Sequence, residues 1–250
     1  LSTLVVDSPT STAAYAASLY AVGGCSLVSL LPLFFIRPKK LPASERSLFA
    51  PFSFLVKNPG LMGKPILPML ITSIGAGLLM PFMNIFFRQV YNQPDPVIGA
   101  LFAGSSLAMG VGILIAPPLA DRMGKIQVVV ITQALSIPFF ILMGWAPWFE
   151  VSALAYFIRA GLMNMTGPVY QTFVMERAPQ NSRAMVASLV SMASNFGWAF
   201  SPTISGWLQV NYGFSPVFVL TILLYLVSIY FYWRFFWKGQ ALPAAQDAKV

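Results

Sequence analysis

Apolar residues run in long blocks along this chain, and the polar ones gather between them. Seven blocks approach or exceed the ~20 residues that cross a ~30 Å hydrocarbon layer. They span 13–36, 65–90, 97–120, 126–147, 150–175, 184–210 and 214–237. The last six are joined by short stretches, "YNQPDP" (91–96), "DRMGK" (121–125), "WAPWF" (145–149), "ERAPQNSR" (176–183) and "NYGFS" (211–215). Loops this short make neighbouring helices antiparallel. Only "RPKKLPASERSLFAPFSFLVKNPGLMGK" (37–64) is long. The pattern predicts an all-α polytopic membrane bundle in four parts. Residues 1–36 hold an outer segment and the last helix of one bundle, 37–64 a linker, 65–237 a six-helix bundle, and 238–250 a tail. Inside the linker, "SERSLFAPFSFL" (44–55) reads either as a short helix lying on the membrane surface or as an unstructured connector.

Composition agrees. Hydrophobic residues make up 57% of the 250 and charged ones 9%, against about 25% charged in soluble domains, and mean hydropathy is +0.73. Too few charges remain to build a water-facing shell. The net charge of +8 does not point to nucleic acid, because the cations fall in short clusters between apolar blocks rather than on one basic patch. They set orientation instead, since cytoplasmic loops are enriched in Lys and Arg. With the long loop inside, thirteen of the fifteen cations share its side, leaving Arg88 at an outer helix end and Arg159 within a span. The linker and C-terminus are therefore expected in the cytoplasm and the N-terminus outside. No basic stretch precedes the first apolar block, which does not read as a signal peptide.

The single cysteine, Cys25, and the lack of histidine argue against an intrachain disulfide, a zinc site and Ser-His-Asp or Cys-His catalysis. No phosphate-cradling glycine loop is present. The chain is expected to be neither an enzyme nor an ATP-driven pump, and no cofactor is predicted.

One turn carries specific information. In "APPLADRMGK" (116–125), Leu119, Ala120, Asp121, Arg122, Gly124 and Lys125 resemble, in order and in topological place, the Gly-x-Leu-Ala-Asp-Arg-x-Gly-Arg/Lys turn of the major facilitator superfamily, with Pro117 in place of the leading glycine. Gly197, Pro202 and Gly206 resemble the Gly-Pro motif of antiporter-type members. The resemblance covers essentially the whole chain and implies the family's fold, with the present spans as helices six to twelve and most of an N-terminal half missing. It also implies a latch at the cytoplasmic side, closed when the cavity opens outward. Asp121 lies where the helix macrodipole disfavours an anion and would pair with Arg177 or Arg183, with Glu176 beside them. Arg122 and Lys125 read either as part of that latch or as positive-inside anchors.

At about 100° per residue, three helices show polar stripes. The first runs through Ser73, Gly77, Met80, Asn84 and Arg88; the second through Arg159, Met163, Thr166 and Tyr170, with Asn164 and Gln171 to the side; the third through Ser188, Ser191, Asn195 and Trp198. Candidate substrate contacts are Arg159, Asn195, Asn84, Thr166, Tyr170, Ser191 and Trp198. Arg159 is costly within a membrane; it meets an anionic substrate group or a carboxylate of the missing half, or else snorkels to the outer surface. Asn195 and Asn164 could equally bond a neighbouring helix. Gly104, Ala108 and Gly112 recur every fourth position and let helices pack closely.

All seven acids lie in loops or at helix ends, so a proton carrier would sit in the missing half, or the protein is a facilitator. The expected function is transport of a small organic solute by rocker-switch alternating access, with drug-exporter-like efflux one form, across a bacterial inner membrane. The expected partners are that solute, a coupling proton or sodium ion, the lipid bilayer and the missing half. The alternative is a non-transporting receptor or assembly scaffold on the same fold.

Overall fold

The computed structural model describes residues 9–32, 59–178, 180 and 183–237. The expected linker helix at 44–55, most of the linker, the tail and the first eight residues lie outside the described residues. The chain divides into two compact units, Leu1–Arg46 and Ser47–Val250. In the first, α1 spans Pro9–Val28, and its 20 residues reach about 30 Å at 1.5 Å per residue.

The second unit is a helical bundle. Helix α2 (Pro59–Leu79) passes through a 3₁₀ turn at Met80–Phe82 into α3 (Met83–Tyr91), and the two act as one span. Then follow α4 (Asp95–Met123), α5 (Lys125–Trp145), α6 (Phe149–Arg177), α7 (Arg183–Tyr212) and α8 (Ser215–Phe236). The break after α2 falls at Pro81, whose ring removes a backbone donor. Four spans are long and apolar enough to cross a membrane by themselves: Gly63–Tyr91, α4, α5 and α8. Helices α6 and α7, of 29 and 30 residues, match them in length but carry more polar residues.

Two apolar cores lie at the two ends of the bundle. One gathers Ala116, Ala120, Val128, Val129, Tyr170, Phe173, Val190 and Phe236 near the 121–125 turn. The other gathers Leu78, Phe86, Phe87, Ile98, Phe140, Met143 and Phe218 near the 92–94 turn. Between them runs a buried polar waist to which every span contributes: Ser73, Ser105, Thr132, Gln133, Ser136, Arg159, Thr166, Ser201, Thr221 and Ser228.

The spans pack most extensively as α2 on α7, α5 on α6 and α4 on α6. Helices α4 and α6 meet through the small-residue stripe: a Cβ on Gly112 would lie 2.5 Å from the Gly161 carbonyl, and Gly161 faces the Ala108 carbonyl. Helices α2 and α7 come closer still, since a Cβ on Gly197 would fall 2.2 Å from the Ser73 backbone and one on Gly77 2.4 Å from the Gly197 carbonyl.

At that crossing the Ser73 hydroxyl donates to the Ala193 carbonyl at 2.7 Å and accepts from the Gly197 N–H at 3.3 Å. Ala193 and Gly197 are i and i+4, the two partners of one rung in the α7 ladder. A side chain bonded to both partners competes with that rung. Pro202, further along α7, has no N–H to offer the Trp198 carbonyl. One weakened rung therefore ends at Gly197, beside Trp198, and the Trp198 carbonyl itself lacks its usual backbone partner. Ser73→Ala is expected to remove the competing partner, strengthen the Gly197–Ala193 bond and slow amide exchange over 194–202 roughly five-fold, the equivalent of about 1 kcal/mol for one hydrogen bond. Hydrogen exchange with mass spectrometry reads this, and faster exchange would mean that the hydroxyl only anchors α2 to α7.

Candidate functional site

A cavity of about 300 Å³ lies in the waist, on the side nearer the 121–125 turn. Helix α2 lines it with Met69, Thr72, Ser73 and Ala76, α5 with Gln133, α6 with Met163, Asn164, Thr166, Gly167 and Tyr170, α7 with Ser194 and Trp198, and α8 with Tyr232. None of these side chains is charged. Methionines and aromatic rings give it a broad apolar surface, on which hydroxyls and two amides are set.

Most of the hydroxyls are already used between helices. Tyr170 Oη donates to the Pro65 carbonyl at 2.5 Å. Thr72 Oγ1 and Ser228 Oγ lie 2.6 Å apart, and both reach the Pro68 carbonyl. Thr166 Oγ1 faces Thr132 Oγ1 at 3.4 Å. Asn164 Nδ2 donates to the Ala160 carbonyl at 2.8 Å, which leaves its Oδ1 as an acceptor. Gln133 is 3% exposed, and its amide makes no hydrogen bond among the described residues.

Of the residues singled out in the sequence as substrate contacts, Thr166, Tyr170 and Trp198 line this cavity and four do not. Ser191 and Asn195 lie on an exposed face of α7, with Asn195 Nδ2 bonded to the Ser191 carbonyl at 2.7 Å. Asn84 is exposed on α3 and accepts the Ile85 N–H. Arg159 is 3% exposed, so it does not snorkel. Its guanidinium carbon sits 4.3 Å from the Phe140 ring centroid and 5.6 Å from that of Tyr225. Its terminal nitrogens donate to Tyr225 Oη at 3.1 Å and Met80 Sδ at 3.4 Å, while Nε has no partner. Two ring faces and two weak acceptors hold this cation, and no carboxylate pairs with it among the described residues. The 3₁₀ turn brings Met80 to it.

Gln133 was not among the residues singled out in the sequence. The signal that could have found it is the lone amide between Thr132 and Ser136 in "VVVITQALSIPFF".

At the motif turn, Gly124 takes φ +94°, and a Cβ there would meet Gln127 Oε1 at 2.3 Å, so the turn needs glycine. Lys125, at the start of α5, forms an ion pair with Glu176 at the end of α6. Arg177 stacks on Phe173 and donates to its carbonyl at 3.3 Å, and Arg183 reaches the Ala178 carbonyl at 3.5 Å. Asp121 and Arg122 are exposed. Among the described residues Asp121 makes no ion pair, so the bridge here runs from Lys125 to Glu176 rather than from Asp121 to Arg177 or Arg183. At the other end Arg88 and Asp95 pair across the 92–94 turn.

A family model described as "Major Facilitator Superfamily" matches residues 66–249. The multidrug resistance protein MdtG of Dickeya zeae is 23% identical over 213 residues, which cover 82% of this chain and 51% of that protein. MdtG of Escherichia fergusonii is 23% identical over 219 residues, 84% of this chain and 52% of that protein. MdtG of Enterobacter lignolyticus is 24% identical over 212 residues, 81% and 50%. The chain spans about half the length of the curated relatives it matches.

The Arg159 cage is open to direct test. Tyr225→Phe keeps the ring and removes the oxygen, leaving a further N–H of a buried cation unpaired at a cost of about 1–3 kcal/mol. The unfolding midpoint of the purified protein is expected to fall, while Tyr230→Phe, at an exposed position, leaves it in place. An unchanged midpoint for Tyr225→Phe would show that the guanidinium does not depend on that oxygen.

Proposed function

Because the chain belongs to the major facilitator superfamily, a family of multi-pass membrane transporters rather than enzymes, we propose that residues 65–237 form the C-terminal half of an exporter of small amphipathic organic solutes. The observation that carries this reading is the uncharged, methionine- and aromatic-lined cavity between α2, α6 and α7. Such a surface accepts apolar bodies of varied shape, and polar groups within it orient them. The relatives named as multidrug resistance proteins support efflux as the direction.

In this proposal the protein sits in a bacterial inner membrane. The 121–125 turn, the linker 37–64 and the tail 238–250 face the cytoplasm, following the distribution of Lys and Arg. Residues 1–36 supply the last helix of an N-terminal half, and a coupling proton or sodium ion is carried there. Thr166, Tyr170 and Trp198 contact the solute. Ser191 and Asn195, on the exposed face of α7, meet it or the N-terminal half from the other side. Arg159 acts behind the cavity wall. Met163, on the wall, lies one helical turn, about 6 Å along α6, from it. Its fixed positive charge makes the site unfavourable for cations.

Transport follows by rocking the two halves about the cavity. Asp121, Arg122, Gly124 and Lys125 form the cytoplasmic latch with Glu176, Arg177 and Arg183. The Lys125–Glu176 pair is 26% and 55% exposed, and exposed pairs of this kind contribute about 0–1 kcal/mol. A contact that weak can be exchanged for another during the cycle.

The test is efflux by the native full-length protein in cells whose own exporters have been deleted. Expression is expected to lower steady-state accumulation of an uncharged lipophilic dye. Trp198→Ala should raise it back at least halfway, with unchanged protein in the membrane. Equal accumulation with and without the protein, over a panel of uncharged amphiphiles, would overturn the reading. The latch is tested separately: Asp121→Asn should shift the spin-label distance distribution across the cytoplasmic end toward the inward-open state. An unchanged distribution removes Asp121 from the latch.

A further inference from the structure

We infer that Gln133 is the specificity-determining residue of the cavity and selects solutes carrying an uncharged carboxamide-like edge, with a donor and an acceptor side by side. The inference rests on the reading of the cavity as the substrate site and names the chemistry that site recognises.

Gln133 stands apart from its neighbours on α5. Thr132 returns its hydroxyl proton to the Val128 carbonyl at 2.8 Å, and Ser136 returns its own to the Gln133 carbonyl at 2.7 Å. Both hydroxyls are thereby satisfied within their own helix. The Gln133 side chain is not: it is 97% buried on 3% exposure, lines the cavity, and has no hydrogen-bond partner among the described residues. An amide carries two N–H donors and a carbonyl acceptor. Its polar atoms open on the cavity rather than being sealed in the packing, so a group entering the cavity can pair with them in place of water.

The rest of the wall narrows what that occupant is. Asn164 spends one of its two N–H donors on Ala160 and keeps the other with its oxygen, so the cavity presents two amides, each with a donor and an acceptor to offer. A primary carboxamide complements this set. Its carbonyl accepts from Gln133 Nε2, one N–H donates to Gln133 Oε1, and the second N–H is left for Asn164. A carboxylate, all acceptors, would accept from Nε2 but set its second oxygen against Gln133 Oε1. An ammonium group would enter a low-dielectric site without a counter-charge, near the buried cation Arg159. A purely apolar solute of the same shape would leave Gln133 unpaired, and sites built to form hydrogen bonds discriminate strongly on that basis. Trp198, which is 46% exposed, supplies a flat face for an attached aromatic body.

The experiment uses two isosteric probes, β-naphthamide and methyl β-naphthyl ketone, which differ only in an NH₂ against a CH₃. Binding is measured by equilibrium dialysis against the native full-length protein in lipid nanodiscs, with empty nanodiscs subtracted. The wild type is expected to hold the amide roughly ten-fold more tightly than the ketone, on the scale of one or two net hydrogen bonds. Gln133→Met, matched in length, should weaken both probes, which share the carbonyl that Nε2 meets, but the amide more, bringing the ratio close to one. The wild-type ratio stands as a test by itself if that variant does not fold. Both probes bound with a ratio near one would overturn the inference and leave the cavity a substrate site. A ten-fold ratio that survives in Gln133→Met would overturn it by assigning selectivity elsewhere. Neither probe bound above the empty nanodiscs would overturn the cavity reading, and the inference with it.

Discussion

In the middle of a hydrocarbon layer no water completes a hydrogen bond, so each buried polar group needs a partner in the protein. The waist of this bundle is organised by that constraint. Ser73 reaches across to α7, Thr72 and Ser228 join α2 to α8 at the Pro68 carbonyl, and Tyr170 ties α6 to Pro65. Each bond fastens two helices beside a proline or glycine. Interhelical bonds in membranes average only about 0.6 kcal/mol, so they do not hold the bundle together alone. The two apolar cores above and below supply the packing. The polar bonds fix which rotation of each helix is compatible with it.

The same constraint explains the division of labour among the spans. Helices α4, α5 and α8 are apolar enough to cross by themselves, as is the α2–α3 span, whereas α6 and α7 fall short despite their length. The shortfall comes from residues such as Arg159, Asn164, Thr166, Ser194 and Asn195. A helix can carry these only if it is surrounded by protein or faces a polar opening. Both weaker spans wall the cavity, together with α2, α5 and α8.

Much of this was legible in the sequence, and what was not has a physical reason. The helices of the second unit followed from block length alone, and the Gly104–Ala108–Gly112 stripe from its period, because close packing needs small residues in one line. Thr166, Tyr170 and Trp198 fell on the cavity because the stripe on α6 and the end of that on α7 face inward. A period fixes which residues share a face but not where that face points. On α7 the cavity is met by Ser194 and Trp198, and Ser191 and Asn195 lie a residue's rotation away. Gln133 was hidden for a different reason: Thr132 and Ser136 beside it are equally polar, and only the tertiary fold decides which group stays unpaired. The depth of Arg159 was readable, but its aromatic cage depends on a 3₁₀ break in another helix.

The distribution of charge then separates what is fixed from what can move. Arg159, the one charged side chain in the waist among the described residues, is clamped by ring faces and by acceptors from α8 and the α2 break. Moving it would expose a cation to hydrocarbon, so it belongs to the part of the half that travels as a unit. The ion pairs Lys125–Glu176 and Arg88–Asp95 lie instead at the two ends, partly in water, where breaking a pair costs little. Asp121 sits in the last turn of α4, where the macrodipole disfavours it, and gains from any cation that comes within reach. A rocking half needs contacts of this kind at its ends and the opposite kind at its centre. The competed rung at Gly197 and the missing donor at Pro202 add one place within the unit where α7, with Trp198 on it, can yield while the α2 contact holds.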